Sequence, residues 1–324
     1  MNAGRDKSDH RTVQDKIVAR RFDDALVDLA AILKADPEDT EALYMSAVCR
    51  RYTADYDGAL KQLKKLQILV PDHGRAHQEE AHTYRDMRQP EQALRAYTRA
   101  CSLNPALEAS WRGQLNILQA SGLHTQARQV KEQLDYLQNL PRPLVGILDL
   151  IHQGRLLKAE EICREFLKKA PLNVEAMRLL ADIGMRLGVL DDAEFLLESA
   201  VKVEPENVKA RIDYITALRK RQKFSAALEQ AEYLLEKAPG NPMYQSLFAI
   251  ESMQTGDYDT AITMFDRILG QLPGDPITLT SKGHAHKTCG RYEEAVSSYR
   301  SAIDSRPGYG EAYYSLANLK VYSF

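Results

Sequence analysis

Apolar side chains recur along most of the chain with the spacing of one helix face. A clear example has steps of three, one, three and one residues: Ala193, Leu196, Leu197, Ala200 and Val201. This spacing is typical of amphipathic α-helices that bury one side. No segment of the sequence shows the sustained alternation of apolar and polar residues that indicates a β-strand. The pattern therefore predicts an all-α protein.

Prolines and alanines repeat along the chain with a period of 34 residues. Eight prolines carry the period, with one gap of 66 residues, two periods less two: Pro37, Pro71, Pro105, Pro171, Pro205, Pro239, Pro273 and Pro307. An alanine stands twelve residues before each proline, and also before Asn139, where a proline is missing: Ala25, Ala59, Ala93, Ala127, Ala159, Ala193, Ala227, Ala261 and Ala295. Nine alanines in register indicate nine copies of one structural unit.

Two further positions of the period describe a helical hairpin. Three residues before the alanine, most repeats have an aromatic or large apolar residue: Phe22, Tyr56, Leu156, Leu190, Phe224, Tyr258 and Tyr292. Two residues earlier, five repeats have glycine: Gly122, Gly154, Gly188, Gly256 and Gly290. Glycine permits the left-handed backbone that ends a helix, and proline cannot continue a helix interior. We therefore expect nine hairpins over residues 6–310 and one more helix over residues 311–324.

This layout resembles the tetratricopeptide repeat, which has alanine at its twentieth position and proline at its thirty-second. The small residues of the eighth position are also present: Ala47, Ala81, Ala181, Ala249, Gly283 and Ala317. The resemblance covers nearly the whole chain. It implies a right-handed superhelical solenoid of tandem hairpins with a concave groove that binds a protein or peptide.

The repeat is irregular around Pro141 and Pro143, because two prolines in three residues break helices. The next repeat is two residues short, so its first helix, near residues 144–152, should be clipped. A kink here would divide the chain into three parts: residues 1–139 with about four repeats, 140–309 with about five, and 310–324 as a terminal helix. A local insertion or deletion absorbed by a loop explains the same residues equally well.

The resemblance assigns the groove to the first helix of each repeat. Fourteen polar or aromatic residues fall at its lining positions: Tyr44, Arg51, Tyr52, Arg85, Arg112, Asn116, Arg178, Arg186, Lys209, Arg219, Lys220, His284, Lys287 and Tyr314. Four acidic residues lie at such positions too, so the lining is mixed with a basic lean: Glu41, Glu79, Asp182 and Asp213. Arginine with tyrosine and asparagine suits an extended acidic peptide or a polar glycan. The alternative is that these are ordinary solvated side chains.

Repeat co-chaperones that bind the carboxylate end of heat-shock proteins use a clamp over consecutive repeats. Arg112 and Asn116 resemble its first pair. The next repeat has Leu144, Val145 and Leu148 where the clamp needs asparagine. That ligand is therefore disfavoured.

A narrower resemblance concerns residues 193–200, 283–288, 290–291 and 310–320. They are similar to the repeat region of bacterial tetratricopeptide-repeat sulfotransferases, which implies a parent enzyme using a phosphoadenosine sulfate donor. The chain has no glycine-rich phosphate-binding motif. We therefore expect no catalytic residue and no cofactor here, only the recognition region of a larger enzyme. The alternative is a stand-alone adaptor that self-associates through the apolar helix at residues 311–324.

Composition narrows the partners further. Forty-three basic and 45 acidic residues give a net charge of -2, so nucleic acid is not an expected partner. The amino terminus has no apolar run typical of a signal peptide, and no stretch is apolar enough to span a membrane. Four dispersed cysteines fit a reducing compartment, so we expect a cytoplasmic protein.

Candidate reactive groups favour structural roles. His73, His77 and His82 lack the spacing and the fourth ligand of a metal site, so we expect solvated histidines and no metal. Cys163 falls on the inward stripe of a helix, and Cys289 precedes a glycine at a helix end. Acidic pairs such as Asp23 and Asp24 begin second helices, where they complement the helix dipole.

Overall fold

The computed structural model describes residues 3–320, and it describes side chains over residues 10–319. Nineteen α-helices follow one another in this range: α1 (Ala3–Val18), α2 (Phe22–Ala35), α3 (Thr40–Tyr52), α4 (Tyr56–Leu69), α5 (Gly74–Asp86), α6 (Pro90–Leu103), α7 (Glu108–Ala120), α8 (His124–Asn139), α9 (Arg142–His152), α10 (Leu156–Lys169), α11 (Val174–Leu187), α12 (Leu190–Val203), α13 (Val208–Lys220), α14 (Phe224–Lys237), α15 (Pro242–Gln254), α16 (Tyr258–Gln271), α17 (Pro276–Thr288), α18 (Tyr292–Ser305) and α19 (Gly310–Lys320). They form nine tandem hairpins followed by α19. The predicted all-α array of hairpins is confirmed over the described residues.

The turn inside each hairpin contains one residue with a left-handed backbone. In five repeats it is the predicted glycine, with φ between 71° and 91°: Gly122, Gly154, Gly188, Gly256 and Gly290. In the other four a residue with a side chain adopts φ between 56° and 62°: Arg20, Ala54, Arg88 and Gln222. The turn therefore demands left-handed geometry in every repeat, and glycine is the residue that adopts it with least strain.

At six turns between hairpins, a side chain two residues after the repeat's proline caps the next helix. Asp39 accepts a hydrogen bond from the Ala42 backbone N–H at 2.9 Å, and Asn173 accepts one from Ala176 at 2.8 Å. The same cap occurs at four more first helices: His73, Asn207, Asn241 and Asp275. Such a cap stabilises a helix by about 1 kcal/mol. Proline followed by a capping residue thus ends one helix and begins the next.

Small residues hold the two helices of a hairpin close together. The nine alanines that repeat in register along the chain are all buried. Eight are fully buried, and Ala127 is 6% exposed. At the eighth position Ala47, Ala81, Ala181 and Ala249 are fully buried too. Ala317, the corresponding residue of α19, is exposed because no second helix packs on it within the described residues.

The chain divides into two compact units, Met1–Glu165 and Phe166–Phe324, so the division falls inside α10. The block boundary expected at residue 140 stays a prediction. The first helix of the fifth repeat, α9, has 11 residues and begins directly after Pro141. Within the first unit α3 contacts α1 and α5, and within the second α13 contacts α11 and α19 contacts α17. First helices therefore lie side by side along one face of each unit.

Glycine also makes room for a buried tyrosine. Tyr299 is fully buried, and a Cβ added at Gly283 would overlap its ring. Tyr97 in the first unit is packed in the same way against Gly113, where an added Cβ would lie 2.5 Å from the ring. The eighth-position glycine of α17 is thus required by a large neighbour rather than by its backbone angles.

We expect the Gly283→Ala substitution to destabilise the second unit by about 1–3 kcal/mol, because the added methyl group must displace the Tyr299 ring. The matched control is Gly270→Ala in α16, where an added Cβ meets no atom within 4 Å. The control should be neutral or stabilising by up to about 1 kcal/mol. Urea unfolding followed by circular dichroism measures both. Equal stability of the two variants would contradict this packing argument.

Candidate binding groove

The fourteen expected groove residues fall into two sets, one on each unit. Six lie on α3, α5 and α7 of the first unit: Tyr44, Arg51, Tyr52, Arg85, Arg112 and Asn116. Eight lie on α11, α13, α17 and α19 of the second: Arg178, Arg186, Lys209, Arg219, Lys220, His284, Lys287 and Tyr314. Each unit therefore has its own set of candidate lining residues.

Arg51 joins two neighbouring first helices rather than facing solvent. Its side chain is 9% exposed, and its guanidinium donates to Glu79 and, at 3.0 Å, to Asp86, both on α5. Burial disfavours the charged guanidinium, but the Glu79 carboxylate outweighs this and raises the pKa of Arg51. The guanidinium also lies 4.3 Å from the Tyr52 ring centroid. Arg51 therefore has a structural role in the first unit, where it links α3 to α5.

Two arginines of the second unit make the same kind of link. Arg178 on α11 donates to Asp213 on α13 and to Glu175 on its own helix, both at 2.7 Å. Arg219 on α13 donates to the fully buried Glu251 on α15 at 2.8 Å. Pairing of this kind reduces the basic character that the sequence suggested for the lining. It also gives these side chains a structural role.

Arg85, Arg112 and Asn116 remain accessible in the first unit. The two arginine side chains are 51% and 57% exposed, and each pairs with an acid close to it in sequence, Arg85 with Asp86 and Arg112 with Glu108. They line a cleft of about 550 Å³ whose other walls include the apolar Ala109, Gly113 and Ile117. Neither local carboxylate lines the cleft. We call this the α5–α7 cleft.

His82 also lines the α5–α7 cleft but adds no positive charge at neutral pH. Burial lowers its pKa to about 4. Its Nδ1 lies 2.7 Å from the hydroxyl of Tyr97, whose ring packs edge-on against it. The positive charge of the cleft therefore comes from Arg85 and Arg112.

A second cleft of about 550 Å³ lies at the amino-terminal ends of α3 and α5. Its walls include Glu41, Tyr44, Asp72, His73, Arg75 and Arg155. Burial lowers the pKa of His73, and its Nδ1 accepts the capping hydrogen bond from Ala76. The His73 ring is therefore neutral, and its centroid lies 5.7 Å from that of the Tyr44 ring. We call this the α3–α5 cleft.

Asp149 on α9 binds two residues that line the α3–α5 cleft. It accepts hydrogen bonds from Arg75 on α5 and from Asn104, just before α7, at 2.8 Å in the second case. Burial would raise the pKa of Asp149, but hydrogen bonds from Gln153, Arg75 and Asn104 outweigh it and lower the pKa. The contact joins the third and fifth repeats across the fourth.

Sequence reasoning missed several residues of these clefts. Arg75 occupies the second position of its helix, one of the lining positions, so the repeat register could have found it. Asp149 and Asn104 had no such signal, because their contact depends on where α9 lies after Pro141 and Pro143. The sequence identified Glu41 as a lining residue, but it did not identify Asp72, which lines the same cleft.

The remaining expected residues have varied environments. Tyr52 stacks on Phe22 with ring centroids 4.5 Å apart, and Arg186 pairs with Asp182 on its own helix. His284 is half-buried edge-on against Tyr299 and lies 3.4 Å from the Ser315 hydroxyl. Tyr314 is 70% exposed. Lys209 and Lys220 are exposed, and Lys287 is partly buried.

His73, His77 and His82, which were expected to be solvated, are all partly buried. His77 contacts Glu80 and Gln67, while His73 caps α5. Among residues 10–319, whose side chains are described, no group of His, Cys, Asp and Glu is placed to hold a metal ion. Cys163 is buried, and Cys289 is half-buried at the end of α17.

The last helix, α19, buries Ala312, Ser315 and Leu319 and exposes Tyr313 and Tyr314. It is therefore amphipathic, with an aromatic outer side. Val321, Tyr322 and Phe324, which the sequence placed on the same helix, lie outside the described residues.

Family comparisons identify the repeats. The family model described as the cytochrome c-type biogenesis protein H TPR domain matches residues 157–277. Tetratricopeptide-repeat models match residues 11–74, and residues 74–107 and 278–309. The chain is a tetratricopeptide-repeat protein, with repeats over residues 157–277 like those of that biogenesis protein.

Similar proteins include the BBSome complex member BBS4 of Bos taurus, 23% identical over 89% of this chain and 56% of that protein. The probable coatomer subunit epsilon of Schizosaccharomyces pombe is 32% identical over 39% of this chain and 43% of that protein. The chain thus spans about half the length of these relatives.

Solved structures with a similar fold include MamA from Desulfovibrio magneticus, 13% identical with a TM-score of 0.46, over 52% of this chain and 98% of that chain. Another is YrrB, described as a TPR protein with an unusual peptide-binding site. It is 17% identical with a TM-score of 0.43, over 68% of this chain and 97% of that chain. Among the described residues, no helix has the length and apolar character needed to cross a bilayer.

We expect Asp149→Asn to destabilise the first unit by about 1.5 kcal/mol at pH 7, because Arg75 loses its charged acceptor. The folded pKa of Asp149 lies below its unfolded value of about 3.9. The stability it contributes is therefore present above that value and lost as pH falls through the folded pKa. The difference in the free energy of unfolding between wild type and variant should reach its full value above about pH 5 and shrink towards pH 3.

Urea unfolding at a series of pH values measures this difference. The control is Asp135→Asn on α8, an exposed aspartate with no described partner of this kind. A difference that persists unchanged at low pH, or an equal effect of the control, would contradict the assigned role of Asp149.

Proposed function

We propose that this chain is a partner-recognising scaffold whose first unit binds an extended acidic peptide segment in the α5–α7 cleft, without turnover. The observation that carries the proposal is that Arg85 and Arg112 present half-exposed guanidinium groups to one cleft while their local carboxylate partners lie outside its lining.

The donors of the cleft suit a carboxylate. Asp86 accepts from two nitrogens of Arg85, and Glu108 accepts from one nitrogen of Arg112. A guanidinium carries five N–H donors, so both arginines retain donors for a ligand. Charge-assisted hydrogen bonds from arginine to carboxylate are among the stronger polar contacts in proteins. The exposed Asn116 adds a neutral amide that can bind a peptide carbonyl.

The apolar wall of the cleft supports a peptide rather than a free anion. Ala109, Gly113 and Ile117 provide a surface against which the apolar parts of a peptide can pack, next to the charged groups. Clefts that combine an apolar surface with a few placed polar groups are typical of ligand sites. An extended acidic segment would use both.

A larger parent sulfotransferase remains a hypothesis that rests only on the narrower sequence resemblance. The family models that match this chain describe tetratricopeptide repeats, and they do not support a transferase domain. Under this hypothesis the first unit would recognise the protein substrate of the parent enzyme. An acidic segment near the modified residue would be the feature it binds.

We expect the double substitution Arg85→Gln and Arg112→Gln to weaken binding of a fluorescein-labelled Glu-Glu peptide at least about tenfold, because two charge-assisted contacts are removed. Fluorescence anisotropy at low salt measures the affinity, since salt screens exposed charges. The control is Arg128→Gln on α8, which removes an exposed arginine away from the cleft. Unchanged affinity in the double variant, or an equal loss in the control, would refute the proposal.

A second proposed function is self-association through residues 311–324, favoured by the exposure of Tyr313 and Tyr314, at 47% and 70%. If it holds, analytical ultracentrifugation should detect a dimer that the Tyr313→Ser and Tyr314→Ser double variant loses. Aromatic side chains are enriched at interfaces, so their loss removes anchor contacts. Tyr292→Ser on α18, 56% exposed, serves as the control. A monomeric wild-type chain contradicts this second function.

A further inference from the structure

We propose that the peptide bound by the first unit carries a basic side chain about five residues from its acidic side chains, and that this basic side chain enters the α3–α5 cleft. This inference rests on the proposed function, because it adds a second subsite to the same ligand. The two clefts would then recognise a charge pattern rather than acidity alone.

Two carboxylates in the lining of the α3–α5 cleft can accept a cation. Glu41 and Asp72 both line it; Glu41 is exposed and accepts a hydrogen bond from the neutral Gln14 amide, at 3.3 Å. The Asp72 side chain is 85% exposed, with its nearest cation, Arg99, at 3.9 Å. Arg75 lines the cleft as well, but Asp149 accepts from its guanidinium. Arg155, an exposed lining residue, is the cation with which a basic ligand would compete for these carboxylates.

Aromatic surface in the same cleft complements these carboxylates. The Tyr44 and His73 rings lie side by side, and His73 is neutral at pH 7 because burial lowers its pKa. A lysine or arginine side chain can place its apolar stem on such a surface and its charge near the carboxylates. An acidic side chain would instead be repelled by Glu41 and Asp72.

The distance between the clefts fits a short extended peptide. Arg75 lines the α3–α5 cleft and Arg85 lines the α5–α7 cleft, and both lie on α5. Ten residues of α-helix separate them by about 15 Å along the axis. An extended chain rises about 3.3 Å per residue, so about five residues bridge the two clefts. One strand along α5 can therefore occupy both.

The test uses fluorescein-labelled twelve-residue peptides of Gly and Ser that contain Glu-Glu. One set carries Lys, Gln or Glu five residues after the glutamates, and a second set carries the same residues five before them. We expect the chain to bind the Lys peptide of one set about tenfold more tightly than the Glu peptide, with Gln between them. The Glu41→Lys variant should reverse this order, because the charge at the cleft is reversed.

The matched control is Glu38→Lys, which makes the same charge change at an exposed residue outside the lining of the cleft. Equal binding of Lys, Gln and Glu peptides in both sets overturns the inference, while their continued sensitivity to Arg85 and Arg112 leaves the proposed function intact. Reversal by Glu38→Lys also overturns it, since general electrostatic attraction would then explain the preference. If no peptide binds the wild-type chain at low salt, the proposed function itself fails.

Discussion

Close approach of the two helices in each hairpin is the constraint on which the rest of this structure depends. The register alanine brings the second helix against the first, and its burial in all nine repeats leaves no room for a larger side chain. With that distance set, the turn inside the hairpin must reverse the chain over few residues. A left-handed backbone then becomes obligatory, even where Arg20, Ala54, Arg88 or Gln222 must adopt it.

Alignment of the first helices along one face creates both the framework and the candidate site. Arg51, Arg178 and Arg219 link neighbouring first helices by binding carboxylates, and so their charge serves the framework. Arg85 and Arg112 bind carboxylates close to them in sequence and keep an exposed surface. Arginines at lining positions of the repeat thus differ in function according to the acid that each finds in the adjacent helix.

Periodic features could be predicted from the sequence, since every repeat offers independent evidence for the same geometry. The hairpins, their left-handed glycines and the buried alanines were all predictable in this way. Features that depend on pairs of distant side chains were not. Whether Arg178 is free or paired depends on Asp213, 35 residues away, and the contact of Asp149 with Arg75 spans 74 residues. The exposure of Ala317 shows the same limit, because the eighth position is buried only when a second helix covers it.

The Asp149 contact changes how the repeats of the first unit are connected. In a linear array each repeat touches only its neighbours, so a repeat can loosen by breaking two interfaces. Here Arg75 and Asn104 on one side and Asp149 on the other connect the third and fifth repeats directly. The fourth repeat is consequently enclosed in a closed circuit of contacts. Because its two neighbours also hold each other, the third, fourth and fifth repeats should open together rather than one at a time.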